Sequence, residues 1–107
     1  MNIESREEIR DLLKLTKELP PLQRLVVILY ASMDQDDTGT VTVTGLNLAA
    51  EAGMTPQLFS RVRRELVASG WLEENPVLRI GNVRFYRLTE KANPNADAAV
   101  LQFRPTA

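Results

Sequence analysis

The chain contains no cysteine and no histidine in its 107 residues. Without cysteine there is no disulfide framework and no thiolate metal site. Together the two absences remove the commonest general base and the commonest thiol nucleophile. No Gly-rich phosphate loop and no paired-carboxylate motif takes their place. An enzyme is therefore not expected, and neither a cofactor nor a bound metal is expected. Long apolar runs are missing too, so no segment reads as a membrane span. The N-terminus is charged from Glu4 onward, unlike a signal peptide. A cytoplasmic location is the default. What remains is a chain of ordinary single-domain length, with a hydrophobic fraction of 44%, as in folded soluble proteins.

Net charge is small and unevenly distributed along the chain. The net charge is −1. Residues 1–54 hold five basic and nine acidic side chains, whereas residues 55–91 hold seven basic and four acidic. Residues 92–107 balance. A basic segment on a mildly acidic protein suits specific nucleic-acid binding better than tight non-specific coating, because few phosphates are neutralised.

The first helix is signalled by Ser5 followed by Glu8, a capping-box spacing. Ile9, Leu12, Leu13 and Thr16 line one side, and Leu15 and Leu19 widen the stripe. Pro20-Pro21 ends this helix and starts another. From Leu22 to Met33 the chain is apolar nearly all round, which predicts a central helix buried on several sides. The segment Asp34 to Gly39 has the opening spacing of a calcium loop. Its twelfth position is Gly45 rather than the required bidentate Glu, so it reads as a polar loop. Val41 and Val43 alternate with threonines, which predicts one short strand.

Residues 44 to 72 then pack several signals closely together. Thr44 is a fit N-cap and Gly53 a fit terminator for a short helix, with Leu48 and Ala52 facing inward. Thr55 caps the next helix and Pro56 takes its first position, where the missing N–H is harmless. Gly70 stops it. Leu58, Val62 and Leu66 recur every four residues and form the expected core stripe. At about 100° per residue, Gln57, Ser60, Arg61 and Arg64 fall opposite, with Phe59 and Arg63 on one flank. Arg and Gln suit the edges of guanine and adenine in the major groove. The outer face is therefore a candidate DNA surface, and a plain solvated face is the competing reading.

After Gly70, Trp71 and Leu72 begin a strand that Glu73-Glu74-Asn75-Pro76 is expected to interrupt. Val77 to Ile80, Gly81-Asn82 and Val83 to Leu88 read as a hairpin. A two-residue loop places Ile80 opposite Val83 and Arg79 opposite Arg84. Two facing arginines repel. Either they meet a phosphate or a narrow minor groove, or they splay toward Glu73 or Glu74. Asn93-Pro94-Asn95 breaks the chain. The tail from Ala96 to Phe103 keeps Val100, Leu101 and Phe103 to bury.

This order of elements resembles a winged helix-turn-helix, mainly α with a small β-hairpin wing. The segments Val26-Val27-Ile28-Leu29-Tyr30-Ala31, Leu48 to Thr55 and Val62 to Glu73 are similar to helix-turn-helix proteins of bacterial plasmids, phages and integrated elements. Arg87-Leu88-Thr89-Glu90-Lys91 resembles the wing exit of multiple-antibiotic-resistance-type repressors. The resemblance covers roughly residues 22–91. It departs at Thr55-Pro56-Gln57-Leu58-Phe59, where many relatives carry more basic residues. The implied organisation is one domain, with a first helix at 1–21, a winged core at 22–91 and a tail at 92–107.

The resemblance implies sequence-specific binding of double-stranded DNA, most simply by a bacterial transcriptional regulator acting as a dimer. The implied DNA-binding residues are Thr55, Gln57, Ser60, Arg61 and Arg64 on the recognition helix, and Arg79 and Arg84 on the wing. A homodimer through the first helix and the tail would hide apolar residues at both ends and double the DNA site. The alternative is a winged helix serving replication or segregation through protein contacts, for which an exposed Phe59 would be suited.

Overall fold

The computed structural model describes Ile3 and residues 5–93. Four helices lead into a small sheet. Helix α1 spans Arg6–Leu15 and α2 spans Pro21–Ser32. Strand β1 is Thr40–Val41, followed by α3 at Gly45–Ala52 and α4 at Pro56–Ala68. Strands β2 (Leu72–Ile80) and β3 (Val83–Leu88) form the hairpin, and a short 3-10 turn follows at Glu90–Ala92. The sheet is antiparallel with order β1-β3-β2. Strand β1 is thus the far edge, and the hairpin projects beyond it.

The caps act as the sequence dictates. The Ser5 hydroxyl accepts from the Glu8 N–H, Thr44 from Asn47 and Thr55 from Leu58, each satisfying an orphan donor of a first turn. Gly53 closes α3 at φ +69°, a left-handed conformation that a side chain would strain. There the Met54 N–H reaches back to the Ala49 carbonyl at 2.9 Å, and the chain turns directly into α4. At the far end of α4, Lys91 donates to the Ser69 carbonyl at 2.7 Å, a cation placed on the negative end of the helix.

The core is built from α2, α3, α4 and the sheet. Val26, Val27, Tyr30 and Ala31 of α2 meet Leu48 and Ala49 of α3, Val62 and Leu66 of α4, and Val41, Leu72 and Leu88 of the strands. Three expectations change here. In α4 the inward stripe is Phe59, Val62 and Leu66, with Leu58 only half-buried. Spacings of i, i+3, i+7 and i, i+4, i+8 both suit a helix. Phe59 takes the position because its ring stacks on Tyr30, centroids 6.4 Å apart. Phe59 is 1% exposed, so it offers no surface for a protein contact. In α2, Leu22 and Leu25 are exposed, because the buried arc of Val26, Val27, Tyr30 and Ala31 leaves them on the outer side. In α1 only Leu12 is buried among the apolar residues, with Thr16 buried beside it at the C-cap; Ile9, Leu13 and Leu15 remain exposed. Leu19 lies past the end of α1, in the turn before Pro20.

Strand β2 runs through the segment expected to break it, but its register shifts. Glu74 pairs with Tyr86 and Arg79 with Arg84, so Asn75 to Leu78 stand against Phe85 alone. The bulge is held by Asn75, whose amide donates to the Thr40 and Thr38 hydroxyls at 3.1 and 3.3 Å and whose carbonyl oxygen accepts from the Val77 N–H. The loop before β1 is closed by Asp36. Its carboxylate accepts from the Thr38 N–H and hydroxyl and from the Thr40 N–H, and these donors hold its carboxyl below the usual range. The aspartate is therefore occupied with its own backbone. Among the described residues no group of acidic side chains is arranged to hold a metal ion, and no helix is long and apolar enough to cross a membrane.

Candidate nucleic-acid interface

Because Phe59, Val62 and Leu66 point inward, the opposite side of α4 is set by the helical period. At ~100° per residue, Gln57, Arg61 and Arg64 occupy the outermost arc, and all three are exposed. Ser60 sits between this crest and the wing and is half-buried. Thr55 is exposed at the N-cap, where its hydroxyl is already engaged by the Leu58 N–H at 3.1 Å. The crest thus begins at the positive end of the helix.

Two connected grooves separate α4 from the hairpin. The first, about 290 Å³, lies between Thr44, Gly45 and Leu46 at the start of α3, Pro56, Phe59, Ser60 and Arg63 on α4, and Asn82 to Arg84 on the wing. The second, about 410 Å³, is lined by Ser60, Arg63, Arg64 and Val67 from α4 and by Glu74, Arg84 and Tyr86 from the sheet. Ser60, Arg64 and Arg84 are therefore brought together around one groove. Arg61 and Gln57 line neither groove and face outward. Arg79 stands on the outer strand of the wing.

The facing arginines of the hairpin are resolved by a carboxylate. Arg79 and Arg84 are paired across the strands, and Ile80 pairs with Val83 around Gly81-Asn82. Glu74 accepts from Arg79 at 3.0–3.1 Å and lies 3.9 Å from Arg84. One acid thus offsets the repulsion of two cations. Both arginine side chains stay about half exposed, at 50% and 56%. Exposed pairs of this kind contribute roughly 0–1 kcal/mol, so the arginines are available to a stronger anion. Arg87, further down β3, is engaged by Glu73 at 2.9 Å.

Arg63 is a functional candidate that sequence reasoning left on a flank. Its guanidinium lies 4.3 Å from the centroid of the Tyr86 ring and 5.7 Å from that of Phe59. It also faces the Tyr30 hydroxyl, whose pKa burial raises to about 12 and the nearby positive charge partly restrains. One side chain of α4 therefore touches the wing, and its charge acts on a tyrosine of the central helix. The available signal was the position of Arg63 one turn beyond Phe59, although the partner aromatic on β3 is not local in sequence.

Comparison with known proteins adds the fold. No family model matches the chain, and no curated protein is significantly similar to it in sequence. Among solved structures, the chain resembles adhesin competence repressor (AdcR) of Streptococcus pyogenes at 17% identity, over 90% of this chain and 68% of that one, with a TM-score of 0.53. It resembles ZitR of Lactococcus lactis at 15% identity, over 90% of this chain and 67% of that one, with a TM-score of 0.51. It also resembles RV1404 of Mycobacterium tuberculosis at 14% identity, over 99% of this chain and 86% of that one, with a TM-score of 0.56. With the element order and sheet topology described above, these likenesses make the fold a winged helix-turn-helix.

Proposed function

We propose that the chain binds double-stranded DNA with α4 in the major groove, and that it serves as a bacterial transcriptional regulator working as a homodimer. The observation that carries this reading is the exposed crest of Gln57, Arg61 and Arg64. It starts at a capped helix N-terminus and stands across one groove from a basic wing. A helix of this width fits the major groove, and Arg and Gln side chains there pair bidentately with guanine and adenine. Thr55, with its hydroxyl already capping α4, would approach the sugar-phosphate backbone, and Ser60 and Arg64 would line the path toward the wing. Arg79 and Arg84 would meet phosphate or the minor groove. The likeness to a repressor of S. pyogenes agrees in fold with this role.

The test is an electrophoretic shift with mixed genomic fragments at low and high salt, followed by selection of a preferred site. Arg61→Ala is expected to weaken binding to that site by about 1–3 kcal/mol and to flatten sequence preference. If Arg61→Ala matches wild type on the selected site, α4 is not the reading element. If no fragment shifts at low salt, the replication or segregation role through protein contact takes precedence, although buried Phe59 does not supply its surface.

A further inference from the structure

We infer that Arg63 is a positioning residue that fixes the wing against α4, and that Gly45 is glycine because the Arg63 guanidinium occupies the space of a side chain there. The inference extends the DNA-binding reading by naming what sets the angle between its two contacting elements.

Arg63 is half-buried and, with Ser60 and Arg84, lines both grooves, so it lies where they meet. Its planar head meets Tyr86 of β3 at 4.3 Å, near enough for a cation–π contact, and the Phe59 ring from the other direction at 5.7 Å. A planar, always-charged guanidinium can stack and donate hydrogen bonds at once, which an ammonium cannot. The third wall is α3. A Cβ built on Gly45 would lie 2.7 Å from Arg63 Nη1, closer than two such atoms can stand. The first residue of α3 thus leaves room for a side chain of α4 that holds a strand of the wing.

Neither residue belongs to the exposed crest, and the clamp acts through the wing. A wing held at one angle presents Arg79 and Arg84 to the backbone while α4 is seated. A wing free to swing would make those contacts only at an ordering cost on binding, so its contribution to affinity would fall.

Gly45→Ala is the decisive variant, because alanine is the better helix former and a local effect alone would stabilise α3. The clash is with the far end of a long side chain, so the fold should survive while the guanidinium is displaced. In the DNA-free protein, nuclear magnetic resonance of Gly45→Ala should show shifts of the Tyr86 ring and of the amides from Val83 to Leu88. Unmoved wing signals would overturn the clamp. On a selected DNA site, Gly45→Ala and Arg63→Met should each bind about tenfold more weakly than wild type, the size of a lost partly desolvated cation–π contact. Combined, they should bind no worse than Arg63→Met alone, because the second change has nothing left to displace. Arg63→Lys should fail to restore wild-type affinity, and full restoration would assign the effect to charge rather than to stacking and overturn the inference. A wild-type chain that shifts no DNA would sink the DNA-binding reading, and the resonance experiment would still decide whether Arg63 and Gly45 set the wing.

Discussion

Tyr30 is where burial, ring stacking and charge meet in one residue. It is 1% exposed, stacks on Phe59 and carries a hydroxyl that burial raises to about 12 while Arg63 pulls the other way. In the unfolded chain a tyrosine ionises near 10. The folded state therefore keeps the proton that the unfolded state releases. Stability from this group is complete below pH 10 and is lost as pH rises from 10 through 12, by roughly 2–3 kcal/mol in all. Denaturant unfolding of the wild type across pH 9 to 12 should show that decline, and Tyr30→Phe should flatten it. An equally steep decline in Tyr30→Phe would place the alkaline sensitivity elsewhere. The same residue explains why the register of α4 was only partly legible. The sequence pattern identified the helix, its caps and its outer polar crest. It could not choose Phe59 over Leu58, because the choice depends on a ring of α2 some thirty positions away.

At the scale of the element, the wing is a hairpin whose positive charges are held by an internal acid. The pairing of Arg79 with Arg84 and of Ile80 with Val83 follows from a two-residue loop, and it was readable from spacing alone. The bulge at Asn75 to Leu78 was not readable, because its cause is a side chain reaching threonines on the loop and strand before α3. The role of Glu74 was one of two open readings, and the structure shows it beside both arginines. If the wing meets phosphate, DNA must compete with that carboxylate. Glu74→Gln should then bind DNA more tightly and steepen the dependence of log K on log salt by up to about one, while Arg84→Ala should bind more weakly and reduce it by about one. Glu73→Gln is the control, since its partner Arg87 lines neither groove facing α4. Affinity and slope of Glu74→Gln that match those of Glu73→Gln would leave the carboxylate a spectator and the wing a solvated hairpin.

For the whole molecule, the open question is what covers the apolar residues that the winged core leaves outside. Ile9, Leu13 and Leu15 on α1 are each near 40% exposed, and Leu22 and Leu25 of α2 are similar. Scattered exposed leucines are ordinary on a protein surface. Three on a ten-residue helix that buries only Leu12 are less so. The expected contribution of the tail lies outside the described residues, with Val100, Leu101 and Phe103 beyond Asn93. A second copy related by a two-fold axis would cover α1 and present two crests to DNA, with half-sites about one helical turn apart. One winged helix alone reads only a few base pairs, too short for a specific site, so the regulator reading depends on this pairing. Sedimentation at tens of micromolar should therefore find the intact chain as a dimer. Replacing Leu13 by Glu should shift it toward monomer, because a charge buried in the pairing face would lack a partner. Leu25→Glu tests the α2 stripe in the same way and should leave the dimer intact if α1 carries the contact. Ending the chain after Asn93, which keeps buried Ala92, separates the tail from the helix. A dimer lost on truncation puts the tail in the interface, and one that persists leaves α1 sufficient. A monomeric intact chain would remove the dimer, and with it the explanation for how so small a reading surface could select one site on a genome.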